Sequence, residues 1–340
     1  MDNKIIFITD LDLSKEKVAG IWLYCKSIIP LLNNYSTTIV GKQSEDKFAI
    51  FADETISISE DVSNIKLLIR LFLKRKLISK QGILHAQRPD LMVPFIFRKQ
   101  RKIVTLHGNP KKLIKQKGVI KWLLYTFLEK ITLPKCEKIV FIDSETKKDY
   151  EKDYPSLKKN FVLIPSGVDT KLFKFNRNSE RDSFLFVGRL APEKQVDKLI
   201  GEFKQLSTKN KLLIIGSGPL ENNLKNLSND DKRIHFIGAI GHNKLPAYFS
   251  RAKGLFIFSS SEGLPLTALE ALSSGVPVIS TPVGELTNLL KNGKTGILIK
   301  NESLENFEKK LEKINPEDCV RQAKKYSWNE IVKKLEMIYG

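Results

Sequence analysis

Two glutamates stand eight residues apart in an otherwise mostly apolar stretch, SSSEGLPLTALEALSSGVPVIST, residues 259–281. Carboxylates are rarely buried unless another group pairs with them. The pattern predicts a strand, a loop that holds Glu262, and a helix whose first turn suits Pro265 and whose body holds Glu270. A buried Glu270 could accept hydrogen bonds from both hydroxyls of a ribose, while free amides at Gly263 and at the helix start could meet an anion. One element could therefore touch sugar, phosphate and ribose.

Two cations follow another predicted strand, FLFVGRL. Arg189 ends that strand, and Lys194 comes five residues later, beside the start of a helix. Because open α/β sheets bind ligands at the carboxyl ends of their strands, this pair suits a diphosphate. In the alternative interpretation, Arg189 pairs with a core carboxylate and Lys194 is solvated.

A third predicted strand ends in two glycines, Gly216 and Gly218, within LLIIGSGPLE. This is half of a dinucleotide-binding fingerprint, but Glu221 takes the place of the third glycine, so the sequence indicates no nicotinamide cofactor. What remains is a tight strand-to-helix turn near a nucleotide.

The elements that must position these residues are nearly continuous runs of Val, Ile, Leu and Phe that alternate with helical stretches. Such runs are typical of parallel strands buried on both faces, and the alternation predicts doubly wound α/β sheets. About twelve strands are too many for one domain, so we expect two Rossmann-like domains. The predicted division is 1–165 and 166–325. A helix over 326–340, capped by Ser327, is expected to pack back on the first domain.

The chain of 340 residues carries a formal net charge of +19, from 57 basic and 38 acidic side chains. Residues 66–135 hold 18 Lys and Arg but two acids, interleaved with Leu, Ile, Phe and Trp. This segment is either a lysine-rich solvated coat or a surface for a polyanion. Its apolar content favours an anionic membrane over nucleic acid, for which no aromatic-rich recognition motif is present.

Three cysteines, Cys25, Cys136 and Cys319, lie far apart without metal-ligand spacing, so we expect buried, reduced thiols and no zinc site. The start, MDNKIIFITD, predicts a first strand rather than a signal peptide. No apolar run approaches the roughly 18 residues that indicate a membrane span. These features favour a cytoplasmic protein.

Residues 184–299 resemble the donor-binding domain of family 4 retaining glycosyltransferases, which have the GT-B fold of two Rossmann-like domains facing a cleft. FVGRLAPEK, IIGSGPLE, FIGAI and SSSEGLPLTALEALSSGVPVIST follow one another in that family's order, and EGLPLTALE matches its E-x7-E motif. A weaker similarity extends over the first half through KVAGIW, VTLHG and IPSGVD.

The resemblance implies four catalytic groups. Arg189 and Lys194 would hold the donor diphosphate and neutralise the departing nucleotide, so that no divalent metal and no cofactor is needed. Glu262 would contact the donor sugar, and His107 would face that sugar from across the cleft. Glu270 would bind the ribose hydroxyls.

The resemblance also implies a wider donor site. Its other residues are Gly20, Gly216, Gly218, Ala239, Ile240, Gly263, Leu264, Leu266 and Thr267. The sequence departs from the family pattern at three places: Ala19-Gly20 and Gly284-Glu285 stand where two glycines are common, and Gln195 stands where glycine is common.

The implied activity is a retaining transfer of a hexose from a nucleotide sugar, with UDP or GDP as the expected nucleotide. The basic first half favours a lipid-linked or cell-surface glycan precursor as the acceptor, as in polysaccharide biosynthesis, with the enzyme peripheral on the inner membrane face. A soluble small-molecule acceptor is the alternative. The alternative of another class is a non-catalytic protein that binds a polyanion or a membrane on a GT-B scaffold.

Overall fold

The computed structural model describes residues 3–13, 20–43, 51–59, 63–115, 118–299, 304 and 306–340. The chain divides into two compact units. The N-terminal unit comprises residues 1–165 and 331–340, and the C-terminal unit comprises residues 166–330.

The described part of the N-terminal unit contains one sheet of seven strands, in the order β3-β2-β1-β4-β5-β6-β7. Every neighbouring pair is parallel. The strands are β1 (Lys4–Asp12), β2 (Ser36–Lys42), β3 (Glu54–Ser59), β4 (Ile83–Ala86), β5 (Lys102–Leu106), β6 (Lys138–Phe141) and β7 (Phe161–Leu163). The helices are α1 (Ile21–Ile28), α2 (Asn64–Lys74), α3 (Pro110–Lys115), α4 (Val119–Thr132) and α5 (Ser144–Asp153), with 3-10 turns at Ile29–Leu31, Arg75–Leu77, Pro89–Phe95, Leu133–Lys135 and Pro155–Asn160.

Six parallel strands form the sheet in the described part of the C-terminal unit, in the order β10-β9-β8-β11-β12-β13. The strands are β8 (Ser183–Val187), β9 (Lys211–Ile215), β10 (Ile234–Gly238), β11 (Ala252–Ile257), β12 (Val278–Ser280) and β13 (Gly296–Leu298). The helices are α6 (Val196–Lys204), α7 (Glu221–Ser228), α8 (Leu245–Ser250), α9 (Leu266–Ser273), α10 (Leu286–Leu289), α11 (Phe307–Glu312) and α12 (Pro316–Lys324), with 3-10 turns at Pro192–Lys194 and His242–Lys244. The last helix, α13 (Trp328–Tyr339), starts in this unit and continues into the N-terminal unit.

The apolar runs of the sequence form the buried centres of both sheets. Residues 5–8 of β1 and Phe184 and Leu185 of β8 have no solvent exposure. Helices on both faces of a parallel sheet exclude water from every side chain of a central strand, which explains why these strands are continuously apolar. The doubly wound α/β prediction is confirmed.

Each sheet has one place where the strand order reverses. In the N-terminal unit β1 lies between β2 and β4, and in the C-terminal unit β8 lies between β9 and β11. Loops that leave the two central strands of such a sheet diverge to opposite sides, and the crevice between them is the usual ligand site. The crevices lie at β1/β4 and at β8/β11.

Helix α13 begins at Trp328, where the Ser327 hydroxyl accepts a hydrogen bond from the Glu330 amide at 3.4 Å. From Ile331 onward the helix belongs to the N-terminal unit. There the Tyr339 hydroxyl lies 2.7 Å from Nδ1 of the fully buried His85.

The three cysteines are buried with free thiols, as expected. No helix in the described part of the chain is long and apolar enough to cross a bilayer.

Candidate functional site

The crevice between β8 and β11 is bridged by an ion pair. Lys194, in the 3-10 turn after β8, places Nζ 2.5 Å from Oε1 of Glu262, in the loop after β11. The Ser259 hydroxyl donates to the same oxygen at 2.6 Å, and the Ser260 amide donates to the Glu193 carbonyl at 2.9 Å. The sequence placed both charged residues at this edge of the sheet. Their direct contact is a finding of the structure.

Arg189 lies beside this pair in sequence and has an exposed side chain. Within the described residues it forms no ion pair, so the structure does not support the alternative of a core carboxylate partner. A guanidinium carries five N–H donors in a planar fork that matches phosphate oxygens. Among the described residues, Arg189 is therefore a cation of this crevice that remains available to an anionic ligand.

Glu270 is buried in helix α9, and in the described structure only one of its two carboxylate oxygens has a hydrogen-bond partner. Its Oε1 lies 2.7 Å from Nε2 of His242, whereas Oε2 is buried and has no hydrogen-bond partner in the described structure. An unsatisfied buried carboxylate oxygen is costly. The arrangement therefore suits a ligand that donates a hydroxyl hydrogen to Oε2.

Sequence reasoning missed His242, which lies in the 3-10 turn just after β10. Its ring packs edge-on against Phe173, with centroids 5.2 Å apart. The available signal was its position, because it comes soon after Ala239 and Ile240, two residues that the family resemblance predicts for the donor site. Nothing in the local pattern indicated a contact with Glu270.

Gly216 and Gly218 are required by a close approach of two loops. A Cβ on Gly216 would lie 1.9 Å from the Gly188 carbonyl oxygen, and one on Gly218 would lie 2.3 Å from that of Leu190. The Leu190 amide also donates to the Ser217 carbonyl at 2.9 Å. These glycines hold the loop after β9 against the loop that carries Arg189.

Gly284 plays a matching role on the other side of the crevice. Its φ is +50°, and a Cβ there would lie 1.9 Å from the Glu262 carbonyl oxygen. The Glu285 amide donates to the Gly263 carbonyl at 3.0 Å. The turn at Gly284-Glu285 therefore fixes the loop that carries Glu262, although the sequence drew attention to it only as a departure from a glycine pair.

The remaining predicted donor residues follow the same edge of the sheet. Ala239 and Ile240 come directly after β10, and Gly263 and Leu264 lie between Glu262 and helix α9. The helix begins with Leu266 and Thr267. Pro265 occupies the N-cap, with φ −65° and ψ 122°, rather than the first turn as predicted, because its extended ψ precedes the first helical residue.

The N-terminal unit has its own polar crevice at β1/β4. Arg88, after β4, places Nη1 2.6 Å from Asp10 of β1 and Nη2 2.6 Å from Asp90. His107, after β5, has Nε2 2.9 Å from the Gln87 Oε1. Burial lowers the pKa of His107 to about 4, with Asp10 opposing the shift, so its imidazole is neutral near pH 7. Sequence reasoning selected His107 and missed the other four.

Gly20 is the N-cap of helix α1, with φ +61°, and its carbonyl accepts from the Tyr24 amide at 3.1 Å. Ala19, before it, lies outside the described residues. Among the described residues, no group of three or more His, Cys, Asp or Glu could hold a metal ion.

Comparison with known proteins relates most of the C-terminal unit to a known family. Residues 168–328 match the family model described as glycosyl transferases group 1. An uncharacterized glycosyltransferase of Methanocaldococcus jannaschii is 25% identical over 95% of this chain and 94% of its own length. The UDP-Gal:alpha-D-GlcNAc-diphosphoundecaprenol alpha-1,3-galactosyltransferase of Escherichia coli is 27% identical over 98% of this chain and 89% of its own length. The crystal structure of Anabaena HepE in complex with UDP-glucose has a TM-score of 0.75 at 13% identity, over 98% of both chains.

The structural likeness concerns the fold, and two parallel sheets of seven and six strands in the described residues agree with it. The sequence resemblance to glycosyltransferases is confirmed by the family model and by both relatives. Residues 168–328 form a glycosyl transferases group 1 domain, and the chain is a glycosyltransferase with the GT-B fold.

Proposed function

We propose that this glycosyltransferase moves a hexose from a UDP- or GDP-sugar to a lipid-linked glycan precursor at the inner face of a membrane, with retention at the anomeric carbon. The observation that carries the proposal is the Lys194–Glu262 ion pair in the β8/β11 crevice, beside Arg189, which has no ion-pair partner among the described residues. Two cations and a carboxylate at one strand edge suit a ligand that joins a diphosphate to a hydroxyl-rich sugar.

The cations act on the leaving group. When the bond between the anomeric carbon and the diphosphate oxygen breaks, its electron pair departs with the nucleoside diphosphate. Arg189 and Lys194 then face more negative charge than in the bound donor, and such fixed charges contribute several kcal/mol to the transition state. They supply the charge that a divalent metal would otherwise supply.

Glu262 orients the sugar. Ser259 and Lys194 both contact its Oε1, which leaves Oε2 for the donor sugar's hydroxyls. Glu270 binds the ribose through Oε2, the oxygen without a partner in the described structure. In the N-terminal unit, burial lowers the pKa of His107, so its imidazole acts as a neutral hydrogen-bonding group rather than as a cation.

The nucleotide and the acceptor are proposed on independent grounds. The name of the E. coli relative specifies a UDP-sugar and a diphosphoundecaprenol-linked acceptor, and the Anabaena structure holds UDP-glucose. The basic segment 66–135 supports a membrane-bound acceptor over a soluble one.

A donor screen tests the proposal. Purified protein is incubated with UDP-, GDP- and ADP-hexoses, with and without a chelator, and the released nucleoside diphosphate is measured. We expect release from a UDP- or GDP-hexose that survives chelation and rises with a polyprenyl-diphosphate sugar acceptor. NMR of the product should show the anomeric configuration of the donor. A rise only with a soluble sugar would favour a soluble acceptor, and release from no donor would favour a non-catalytic scaffold.

A further inference from the structure

Helix α4 has its polar side inward and its apolar side outward. Its buried side chains are Tyr125, Glu129 and Thr132. Its exposed large apolar side chains are Val119, Ile120, Leu123, Leu124 and Phe127, of which Ile120 is 84% exposed and Phe127 61% exposed. Positions 120, 123, 124 and 127 form one stripe along a helix. A soluble helix normally places such a stripe in the core.

Helix α2 has two apolar stripes. Leu67 and Leu71 belong to the core of the N-terminal unit. A second stripe of Ile65, Ile69, Phe72 and Leu73 is exposed, each side chain by about half or more. Helical spacing again puts these four residues on one side. The helix is therefore apolar toward the core and toward the solvent.

The two helices share one contact element in the N-terminal unit. Both pack against the same 3-10 turn, Pro89–Phe95. Phe97, two residues after that turn, is 91% exposed. We name α2, Phe97 and α4 together the cationic-apolar face. Many large apolar side chains exposed around one turn are typical of an interaction site in a folded protein.

The charge of the face has one sign. The segment 66–135 contains two acids, and both are buried: Asp90 pairs with Arg88 at 2.6 Å, and Glu129 accepts from the Tyr154 hydroxyl at 2.7 Å and lies 3.3 Å from Lys111. The segment thus adds no exposed carboxylate. Its exposed cations on α2 and α4, none of them ion-paired to a described residue, are Lys66, Arg70, Lys74, Lys121 and Lys130.

We propose that the cationic-apolar face docks on an anionic lipid bilayer, with its exposed apolar side chains in the headgroup boundary and its cations on the lipid phosphates. A nucleic acid would satisfy the cations but would leave the two apolar stripes in water. A neutral protein surface would satisfy the stripes but would bury unpaired cations. An anionic bilayer satisfies both. The purpose of docking rests on the proposed function, whereas docking itself can be measured without donor or acceptor.

Vesicle sedimentation tests the docking. The full chain is mixed with vesicles of phosphatidylcholine alone or with an equal share of phosphatidylglycerol. We expect binding to the anionic vesicles only, weakened by salt because exposed charges are screened beyond roughly 8–10 Å at physiological ionic strength. Absence of binding to anionic vesicles at low salt, or equal binding to neutral ones, would overturn the proposal.

Two sets of variants separate the two contributions. The apolar set, Ile120→Ser, Leu123→Ser and Phe127→Ser combined, is compared with Leu172→Ser, Leu227→Ser and Met337→Ser, which are exposed elsewhere. The charge set, Lys66→Ser, Arg70→Ser and Lys74→Ser combined, is compared with Lys171→Ser, Lys174→Ser and Lys209→Ser in the C-terminal unit. Each control set carries the same number of substitutions as the set that it matches. The charge control replaces three lysines, whereas the charge set replaces two lysines and one arginine. The apolar control replaces two leucines and one methionine, whereas the apolar set replaces Ile, Leu and Phe.

The face variants should lose binding and the controls should keep it. Each Lys or Arg near an anionic surface raises the membrane partition coefficient by about fivefold. Loss of three cations in the charge set should therefore lower the partition coefficient by roughly 100-fold at low salt. The apolar set should lower it by about tenfold or more. If the apolar set bound vesicles like the parent while duplex DNA competed for the protein, the face would be a general polyanion surface and the proposal would fail. Vesicle binding by a protein that hydrolyses no donor would support docking and count against the proposed function alone.

Discussion

His242 places Nε2 2.7 Å from Oε1 of Glu270, while Oε2 of the same carboxylate is buried with no partner in the described structure. The carboxylate is thus anchored through one oxygen. The other oxygen can accept a hydrogen bond from a ligand without reorganisation of the protein. Preorganised acceptors of this kind lose little entropy when the ligand binds.

Glu270→Gln should weaken donor binding by about 10- to 100-fold, because a hydrogen bond to a charged group is worth about 1.5–3 kcal/mol. Calorimetry with the parent protein should also show a loss of that size for a nucleotide with 2′-deoxyribose. Equal affinities for the ribose and deoxyribose nucleotides would mean that Oε2 has another partner and that Glu270 is structural.

Lys194→Ala should lower turnover by about 10²–10³-fold, since the loss of one preorganised electrostatic contact commonly has an effect of that size. The matched control is Lys198→Ala, an exposed lysine four residues later. It should leave turnover within about twofold of the parent. Thermal unfolding of both variants establishes that the fold persists. Near-normal turnover in Lys194→Ala would remove the diphosphate assignment.

Gly284→Ala should lower donor hydrolysis, because its Cβ would lie 1.9 Å from the Glu262 carbonyl oxygen and the loop would have to move. Gly201→Ala is the control, since a Cβ there meets nothing within 4 Å and the residue lies inside helix α6. The control should keep activity and stabilise the protein by about 0.5–1 kcal/mol, the usual difference between Gly and Ala in a helix. If both variants kept full activity, the turn at Gly284 would have no part in positioning Glu262.

Acid should destabilise the protein through two histidines, the fully buried His85 and the partly buried His107. Burial, with a smaller contribution from His107, lowers the pKa of His85 to about 3, and burial lowers that of His107 to about 4. In the unfolded chain both groups titrate near 6.5. The unfolded state therefore binds more protons than the folded state below that pH. The contribution of these two histidines to the free energy of unfolding is fully present above about pH 6.5 and is lost as the pH falls toward 4.

Urea unfolding at a series of pH values measures this loss. We expect the free energy of unfolding to fall by roughly 2–5 kcal/mol between about pH 7 and pH 4.5. His85→Gln should flatten the slope, whereas His235→Gln, which alters an exposed histidine on β10, should leave it unchanged. An unchanged slope in His85→Gln would mean that the protonation of His85 does not cause the loss of stability in acid.

Most of the strands could be predicted from the sequence, because parallel strands buried on both faces are continuous runs of Val, Ile, Leu and Phe. Sequence reasoning missed β3, whose sequence ETISIS is polar and only partly buried, since an edge strand has one neighbour and one open side. It also left open whether α4 faces the core with its apolar side. The structure resolves this, because Tyr125 and Glu129 are buried while Leu123 is exposed.

The sequence predicted which residues lie together at the β8/β11 edge of the sheet, but not which of them contact one another. Arg189, Lys194 and Glu262 follow strand ends, so a parallel sheet must gather them at one edge. The bond from Lys194 to Glu262 joins residues 68 positions apart, and that from His242 to Glu270 depends on the turn after β10. Such pairings are decided by loop geometry, which no local pattern encodes.

The return of helix α13 to the N-terminal unit has a consequence for folding during synthesis. Domains generally fold in order from the N-terminus as the chain emerges. Here residues 331–340 complete the N-terminal unit, and Tyr339 supplies a partner for the buried His85. A chain that stops at residue 330 should therefore unfold its N-terminal unit at a lower urea concentration than the full chain, and equal midpoints would argue against this. We therefore expect the C-terminal unit to complete its folding first, although it is translated second. The N-terminal unit can complete its folding only after residues 331–340 have been translated.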